Sequence, residues 1–345
     1  MDFTWTAEQA DLRRMLRDLT ADRCPPSRRR EVMGTAGYDD ALWSVVGFDL
    51  GLLGVAVAEE LGGTGGSFID AAVVIEEAGR GLWPIPVVTA LAAIGALSDA
   101  GKADDVLAAL CGGEQRAAIV VGDEIDTRDD TVTGTARQVR DAAGADRLVV
   151  ASTDGLWLVD AAATTISPVV GMDPLLRLSD VRFDGVAARR VGDAVDAARA
   201  VDVLRVALAL EAIGLATECL DVTVAYLKTR EQFGRAIGSF QALAHRASDL
   251  AVELSAATST AYYAAWAVAD SPAETPVVAP LAKAVCGDAA YRVAAETIQM
   301  HGGIGFTWEH EAHLYFKRAT ALRLLLGDSH QQRRLVADRA QLFKA

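Results

Sequence analysis

The chain contains few of the residues that build metal centres or disulfide frameworks. Its 345 residues include four cysteines and five histidines, and the cysteines are far apart, with no CxxC pair. That spacing excludes the usual zinc motifs and a disulfide scaffold, so we expect four reduced thiols and no bound metal. The cysteines are Cys24, Cys111, Cys219 and Cys286.

Long apolar runs and an excess of positive charge are also lacking. No apolar stretch reaches the roughly 18 residues that a membrane-spanning helix needs. The N-terminal stretch MDFTWTAEQADLRRMLRDL is charged from its first turns and has no signal-peptide core. The 33 basic and 47 acidic residues leave a net charge of -14, which disfavours nucleic acid and anionic membranes as partners. We therefore expect a cytoplasmic protein with no nucleic-acid or membrane partner.

Apolar residues with helical spacing dominate the first part of the chain. Hydrophobic residues make up 51% of the sequence and charged residues 23%, as in globular proteins. From Thr6 to about Ala109, apolar residues recur every three or four positions, which predicts amphipathic helices. Thr6 and Gln9 form a plausible capping box for the first of them.

The pattern changes twice more along the chain. Between about Arg116 and Gly192, short β-branched runs alternate with Gly and Asp turns, which predicts a small β domain. From Asp196 the helical period returns in four long segments, of which the last runs from His310 to about Arg334. We predict a multidomain α+β fold: an N-terminal helical domain (1–112), a shortened middle β domain (113–194) and a C-terminal four-helix bundle (195–345).

Two motifs in the last region carry chemical information. Arg230, Phe233, Gly234 and Gln241 form an R-x-x-F-G-x(6)-Q arrangement, in which we expect Gly234 to end one helix before a short turn to the next. An arginine, an aromatic ring and an amide grouped at a helix end suit a pyrophosphate and its nucleotide. Taken alone, the motif is explained more simply by a surface arginine and a packed phenylalanine.

The second motif is Q-x-x-G-G-x-G, in which Gln299 lies one turn before Gly302 and Gly303. Glycines without a Cβ allow a ligand to approach the backbone closely, although the same letters also describe an ordinary helix stop. With both motifs at this separation, together with GLLGVAVAEELGGTGGS and VIEEAGR nearer the N-terminus, the chain resembles the acyl-CoA dehydrogenase family over nearly its whole length.

The resemblance implies a flavoprotein in which FAD lies across a subunit interface. In that family the two motifs hold the ADP half of a neighbouring subunit's flavin. It further implies that Asp328 and Ser329 line the flavin region from this subunit's side. The residues implied to contact the partner's FAD are Arg230, Phe233, Phe240, Gln241, Gln299, Gly302 and Gly303.

The family's catalytic glutamate is missing at both of its known positions. The family reaction removes hydrogens from the α and β carbons of an acyl-CoA thioester, and a glutamate accepts the α proton. In LRLLLGDSHQQRR the usual position is Leu326, and the alternative position in the first long helix of the bundle is Leu204. Leucine cannot accept a proton, so the resemblance implies no catalytic residue here.

The β domain also lacks residues that the family uses at the flavin. The loop that wraps the flavin ring is missing after the strand AAIVVG, and the flavin-facing Trp and Thr positions fall at about Gln138 and Arg140. The resemblance therefore implies a non-catalytic subunit that pairs with a longer catalytic homologue in an α2β2 assembly. The chain is similar to the smaller subunits of actinobacterial enzymes that act on CoA thioesters of steroid fragments. An acyl-CoA substrate and electron-transfer flavoprotein as acceptor are implied with it.

The sequence also allows two other functions. Asp328 is a weak candidate for a relocated base in an independently active dehydrogenase, but a helix cap is the simpler role for it. The second alternative is a flavin-free scaffold protein that keeps the two motifs but has no flavin for them to bind. The basic run at Arg28 to Arg30 is expected to be a solvated charge cluster, with CoA phosphates as the alternative.

Overall fold

The N-terminal part of the chain is a group of helices packed around one apolar core. The structure is a computed structural model that describes residues 5–122 and 124–342. The predicted capping box is confirmed, because the side chains of Thr6 and Gln9 each accept a hydrogen bond from the other's backbone N–H. The helices are α1 Ala7–Arg23, α2 Pro26–Met33, α3 Asp40–Ser44, α4 Phe68–Arg80, α5 Val87–Ala100 and α6 Asp104–Cys111.

A seven-stranded sheet follows, in the order β1-β4-β5-β7-β3-β2, with β6 also paired to β7. Only β1 and β4 run parallel among these pairs of described strands. β7 joins the two halves of the sheet, because its end pairs with β5 and its start with β3 and β6. The strands are β1 Ala117–Val121, β2 Ile125–Arg128, β3 Thr131–Arg140, β4 Arg147–Ala151, β5 Gly155–Asp160, β6 Thr165–Val169 and β7 Leu178–Asp193.

The sheet has its own apolar core, separate from the one that the helices share. Side chains of β1, β3, β4, β5 and β7 form this second cluster, with Trp157 and Phe183 as its largest members. β2 and β6 were not anticipated from the sequence, because their polar residues and a proline hide the strand pattern. β2 begins four residues after β1 ends, which agrees with the predicted absence of a long loop there.

Long helices fill the C-terminal part, and the last predicted helix is in fact two. Leu326 and Gly327 have positive φ angles of 58° and 97°, which no α-helix accommodates, and Asp328 caps a new helix. The expectation of one segment from His310 to Arg334 was therefore wrong. The elements are α7 Ala194–Thr229, β8 Glu231–Gln232, β9 Arg235–Ala236, α8 Gln241–Asp270, α9 Thr275–His301, α10 Ala312–Leu324 and α11 Ser329–Arg339.

Helices α4 and α7 join the N-terminal and C-terminal regions through a close glycine contact. A Cβ atom added at Gly214 would lie 1.9 Å from the carbonyl oxygen of Glu76, and one added at Gly79 would lie 2.3 Å from that of Glu211. Only glycine permits this backbone approach. The contact therefore holds the backbones of α4 and α7 against each other at the junction of the two regions.

Three further features concern the part of the chain that the structure describes. The four cysteines are buried free thiols. Across residues 5–122 and 124–342, no helix is long and apolar enough to cross a membrane. No cluster of metal-ligating side chains was found in the same part of the chain. The domain boundaries proposed from the sequence remain predictions.

Candidate functional site

The two sequence motifs lie side by side at one end of the helical bundle. The ring of Tyr226 stacks on that of His301, with 4.5 Å between the ring centres and 25° between the planes. Arg230 follows Tyr226 by one helical turn, and its backbone N–H donates to the Tyr226 carbonyl at 2.8 Å. Gly302 follows His301 directly. The ends of α7 and α9 therefore bring both motifs together on one surface.

A small hairpin projects from this surface, and it corrects one expectation. α7 ends at Thr229 with Arg230 as its cap, so Gly234 does not end the helix. Phe233 and Gly234 instead form the turn between β8 and β9, with φ angles of 55° and 77°. Two residues with positive φ match the turn type that two-residue hairpins prefer. The Phe233 side chain at the hairpin tip is 92% exposed.

Aromatic and cationic groups surround the start of α8. The Phe240 ring lies 6.1 Å from that of Phe233 in an edge-to-face arrangement, and the Arg235 guanidinium lies 4.1 Å from the centre of the Phe240 ring. Gln241 is the exposed first residue of α8. An exposed ring, an exposed amide and nearby guanidinium groups offer stacking and hydrogen-bonding capacity to a ligand from outside the chain.

The glycine pair at the end of α9 faces open space. A Cβ atom added at Gly302 or Gly303 would meet no other atom within 4 Å, and Gly303 has no positive φ angle that calls for glycine. Gly305 differs, since its Cβ would lie 2.7 Å from the Ile298 carbonyl oxygen. Packing within the chain thus explains Gly305 but not Gly303. Bare backbone at Gly303, beside exposed Gln299, fits the close approach of an external group such as a nucleotide.

The other half of a family active site, the part that would hold this chain's own flavin ring, is altered. Leu204 on α7 is buried, with 6% of its surface exposed. Leu326 has a left-handed backbone, and its carbonyl oxygen accepts a hydrogen bond from the Gln332 amide at 2.5 Å. Neither aliphatic side chain can take up a proton.

Arg140, at a position implied to face the flavin ring, is turned into the interior instead. Its guanidinium forms a buried ion pair with Glu211 of α7, and Arg318 of α10 donates to the same carboxylate at 2.8 Å. Burial alone would raise the pKa of the Glu211 carboxyl, but the two guanidinium groups hold it below its ordinary value. Arg140 is therefore committed to Glu211, and it does not fit a role as a flavin contact.

This ion pair belongs to a larger buried network that joins all three regions of the chain. Arg318 also pairs with Asp173, in the connection between β6 and β7. Asp141, next to Arg140, accepts hydrogen bonds from Tyr38 at 3.1 Å and Thr89 at 2.7 Å, both in the N-terminal helical region. Burial raises the pKa of the Asp141 carboxyl. The only sequence signal for the network was a glutamate inside the apolar stripe of α7.

Asp328 and Ser329 have structural roles in the turn between α10 and α11. The Asp328 carboxylate caps α11 by accepting the Gln331 N–H at 2.9 Å, and this backbone hydrogen bond lowers its pKa. A lower pKa makes Asp328 a weaker proton acceptor. Ser329 is 5% exposed, and its hydroxyl oxygen accepts a hydrogen bond from the Arg333 guanidinium at 3.4 Å. Contacts of either residue with a flavin remain predictions.

The basic run at Arg28 to Arg30 does not form the expected solvated cluster, because each arginine is bonded within the chain. The alternative, a contact with CoA phosphates, stays a prediction. Arg28 pairs with Asp39 at 2.7 Å, and Arg29 pairs with Glu311 of the C-terminal region at 2.5 Å. Arg30 donates to the carbonyl oxygens of Trp308 and Glu309, both at 3.1 Å. Arg29 and Arg30 border a cavity of about 750 Å³ whose lining has four arginines and four glutamates, so its formal charge is balanced. They anchor one helical region to the other.

Comparison with family models identifies the class of protein. The Acyl-CoA dehydrogenase, N-terminal domain model matches residues 6–113, and the Acyl-CoA dehydrogenase, C-terminal domain model matches residues 195–341. The chain belongs to the acyl-CoA dehydrogenase family, a family of flavoprotein oxidoreductases. The resemblance and the fold predicted from the sequence are both confirmed.

Individual relatives show which members of the family this chain is similar to. The chain is 37% identical to acyl-CoA dehydrogenase IpdE2 of Mycobacterium tuberculosis over 92% of this chain and 93% of that protein. It is similar in structure to the ChsE4-ChsE5 complex from Mycobacterium tuberculosis, with a TM-score of 0.92, 26% identity and full coverage of both chains (100% and 100%). It is also similar to a variant of the Tcur3481-Tcur3483 steroid ACAD, with a TM-score of 0.90, 28% identity and coverage of 97% and 98%. The resemblance to heteromeric members of the family is therefore supported as predicted.

Proposed function

We propose that this chain is the non-catalytic subunit of a heteromeric FAD-dependent acyl-CoA dehydrogenase. The observation that carries the proposal is an asymmetry within the chain. The residues that would serve a neighbour's flavin are exposed at one end of the bundle. The positions that would serve the chain's own flavin are leucines or belong to a buried ion network.

The ADP half of a partner's FAD would be held by the end of the bundle. Arg230 would pair with the pyrophosphate, since a guanidinium forms bidentate hydrogen bonds to phosphate oxygens. Gln241 and Gln299 would supply amide hydrogen bonds, and Phe233 an apolar face. Gly302 and Gly303 leave room for the nucleotide because no side chain occupies that space. FAD, when bound, supplies the hydride acceptor for the reaction.

The proton acceptor for the reaction would come from the partner subunit. Dehydrogenation of an acyl-CoA thioester requires a base for the α proton, and neither Leu204 nor Leu326 can act as one. The contribution of this chain is to bind and orient the nucleotide half and to exclude water from one side of the flavin. Asp328 is not needed, since it is occupied as a helix cap and its pKa is lowered.

The relatives guide the proposed assembly and substrate. One similar structure is a complex of two named chains, and the other is described as a steroid ACAD. We extend both features to this chain as an α2β2 assembly with a longer catalytic homologue, acting on a steroid-derived acyl-CoA. Each heterodimer would then hold one flavin at one of its two possible sites. Electron-transfer flavoprotein is the acceptor proposed for the reduced flavin.

Flavin absorbance tests this function directly. We would purify the chain alone, the longer homologue alone and the two expressed together, and measure bound FAD per heterodimer. We expect stoichiometric FAD only in the complex, at one per heterodimer. A yellow isolated chain would support an independent flavoenzyme instead. A complex without flavin absorbance would support the scaffold function instead.

A pair of matched glycine variants tests the nucleotide contact itself. Gly303→Val adds a side chain where the backbone faces open space, and Gly37→Val does the same in the N-terminal helical region. We expect Gly303→Val to reduce FAD retention in the complex at least tenfold, because the side chain fills the space needed by the nucleotide. Gly37→Val should retain FAD like the wild type. Equal retention by both variants would contradict the proposed contact.

A further inference from the structure

Three large apolar side chains project from the segment that follows the glycine pair. Ile304 is 42% exposed, Phe306 77% and Trp308 65%. Isolated exposed apolar residues are common, but three within five residues form a patch of the kind found at protein interfaces. The residues assigned to FAD above do not include any of them. The patch therefore needs a separate explanation.

The backbone that carries this patch is firmly held. Arg30 of α2 donates to the carbonyl oxygens of Trp308 and Glu309 at 3.1 Å each. Thr307 donates to the Ile304 carbonyl oxygen from its backbone N–H at 3.0 Å and from its hydroxyl at 2.8 Å. Little conformational entropy is lost when such a pre-organised segment binds a partner.

The Trp308 side chain is also oriented. Its ring lies 4.5 Å from that of His313 in an edge-to-face arrangement, and the Lys317 ammonium lies 4.7 Å from the ring centre. Aromatic residues in fixed orientations are typical binding hot spots. The cation beside the ring implies a partner surface with an apolar recess bordered by a carboxylate.

We propose that Phe306 and Trp308 anchor the longer catalytic homologue, so that this patch is the core of the contact between the two subunits. The inference rests on the proposed function. The chain itself provides the reason for this occupant. A partner whose flavin reaches Gly302 and Gly303 must also cover the residues that follow immediately, since five residues span at most about 18 Å.

A second copy of this chain fits the patch less well. Each copy has a formal net charge of -14, so two copies repel one another at long range.

The area that Phe306 and Trp308 would bury is also consistent with an anchor. Covering the exposed parts of one Phe and one Trp removes about 300 Å² from water, against roughly 800 Å² for each partner in a standard interface. Two side chains thus supply a large share of one contact.

The test compares binding of the separately purified homologue to the chain with and without the anchor. A variant with Phe306→Ser and Trp308→Ala should bind the homologue at least about 30-fold more weakly, which is the loss expected for hot-spot residues. Phe48→Ser is the matched control, because Phe48 is 75% exposed in the N-terminal helical region. We expect its affinity to stay within about twofold of the wild type by the same reasoning. Affinities would be measured by titration calorimetry.

A measurement on the unmodified chain avoids any folding defect in the variants. Hydroxyl-radical footprinting should show oxidation of Phe306 and Trp308 falling at least fivefold when the homologue is added, while that of Phe48 is unchanged. If the wild-type complex forms but these residues stay reactive, or if the double variant binds normally, only the anchor is overturned. If the wild-type chain does not bind the homologue at all, the proposed function fails as well.

Discussion

Replacement of Glu211 by glutamine is expected to destabilise the chain, because it removes a buried charge that two arginines share. The glutamine keeps the volume of the side chain but removes the negative charge between Arg140 and Arg318, both of which are buried. Breaking a buried ion pair costs about 3–5 kcal/mol. Arg140 keeps Asp141 and Arg318 keeps Asp173, so we expect the lower end, about 3 kcal/mol.

Thermal unfolding with circular dichroism would measure this effect. A loss of about 3 kcal/mol should lower Tm by about 4 °C in a chain of this size. Glu60→Gln is the control, since Glu60 is exposed and its replacement should leave Tm nearly unchanged. A fall of less than about 1 °C for Glu211→Gln would refute the argument that the network stabilises the junction of the three regions.

The pH dependence of the same variant has a defined sign. The pKa of Glu211 is lower in the folded chain than its ordinary value. Its contribution to stability is therefore fully present above the unfolded pKa and is lost as pH falls through the folded pKa. We expect the difference in stability between wild type and Glu211→Gln to be largest near neutral pH and to shrink below about pH 4.3. A difference that grows on acidification would contradict the assignment.

The network also predicts what Glu211→Gln should leave unchanged. Glu211 precedes Tyr226 by fifteen residues on α7, a distance of about 22 Å along a helix. The variant complex, once folded, should therefore bind FAD at the same stoichiometry as wild type. Absorbance of the purified complex per folded heterodimer would measure this. Loss of FAD without loss of folding would place Glu211 in the flavin site.

Three further outcomes are expected. Gly214→Ala should lower Tm strongly, because its Cβ would lie 1.9 Å from the Glu76 carbonyl oxygen. Gly95→Ala is the control, since its Cβ would meet no atom within 4 Å and Tm should stay unchanged. Equal Tm values for the two variants would disprove the close helix contact. Asp328→Ala should lower Tm slightly through loss of the α11 cap, while the complex keeps its dehydrogenase activity. Loss of that activity would instead support Asp328 as the catalytic base. Burial lowers the pKa of the Lys283 ammonium to about 8, so wild type should gain stability from about pH 8 to about pH 10 relative to Lys283→Met. Urea unfolding at the two pH values checks this, and parallel curves for the two proteins would contradict it.

Much of the fold was accessible from the sequence because it depends on local periodicity. The α7 stripe containing Val206 and Leu210 predicted a long buried helix, and the β-branched runs predicted the strands of the sheet core. The break at Leu326 was not accessible in this way. Periodicity alone predicts one helix from His310 to Arg334, and only the cap role expected for Asp328 indicated a helix start there. The left-handed backbone at Leu326 lies between α10 and α11, which both pack on α9.

The candidate site shows the same division. Arg230, Gln299 and Gly303 were predicted from their motifs, and the structure brings them to one surface. Nothing in the spacing indicated that Gly234 would form a hairpin tip with Phe233, because that depends on where α7 ends. Arg30 was expected to be solvated, but it holds the Trp308 carbonyl nearly three hundred residues later in the chain. Contacts over such separations leave no local pattern.

The sequence by itself determined the family, the helical and β regions, and the absence of a glutamate at Leu204 and Leu326, because each of these depends on residue identity and short-range spacing. Tertiary structure alone decided that Arg140 turns inward to Glu211 and that Gly303 faces open space. Side-chain direction and free volume are set by elements distant in sequence, and burial then decides whether a charge is paired within the chain or remains available to another molecule.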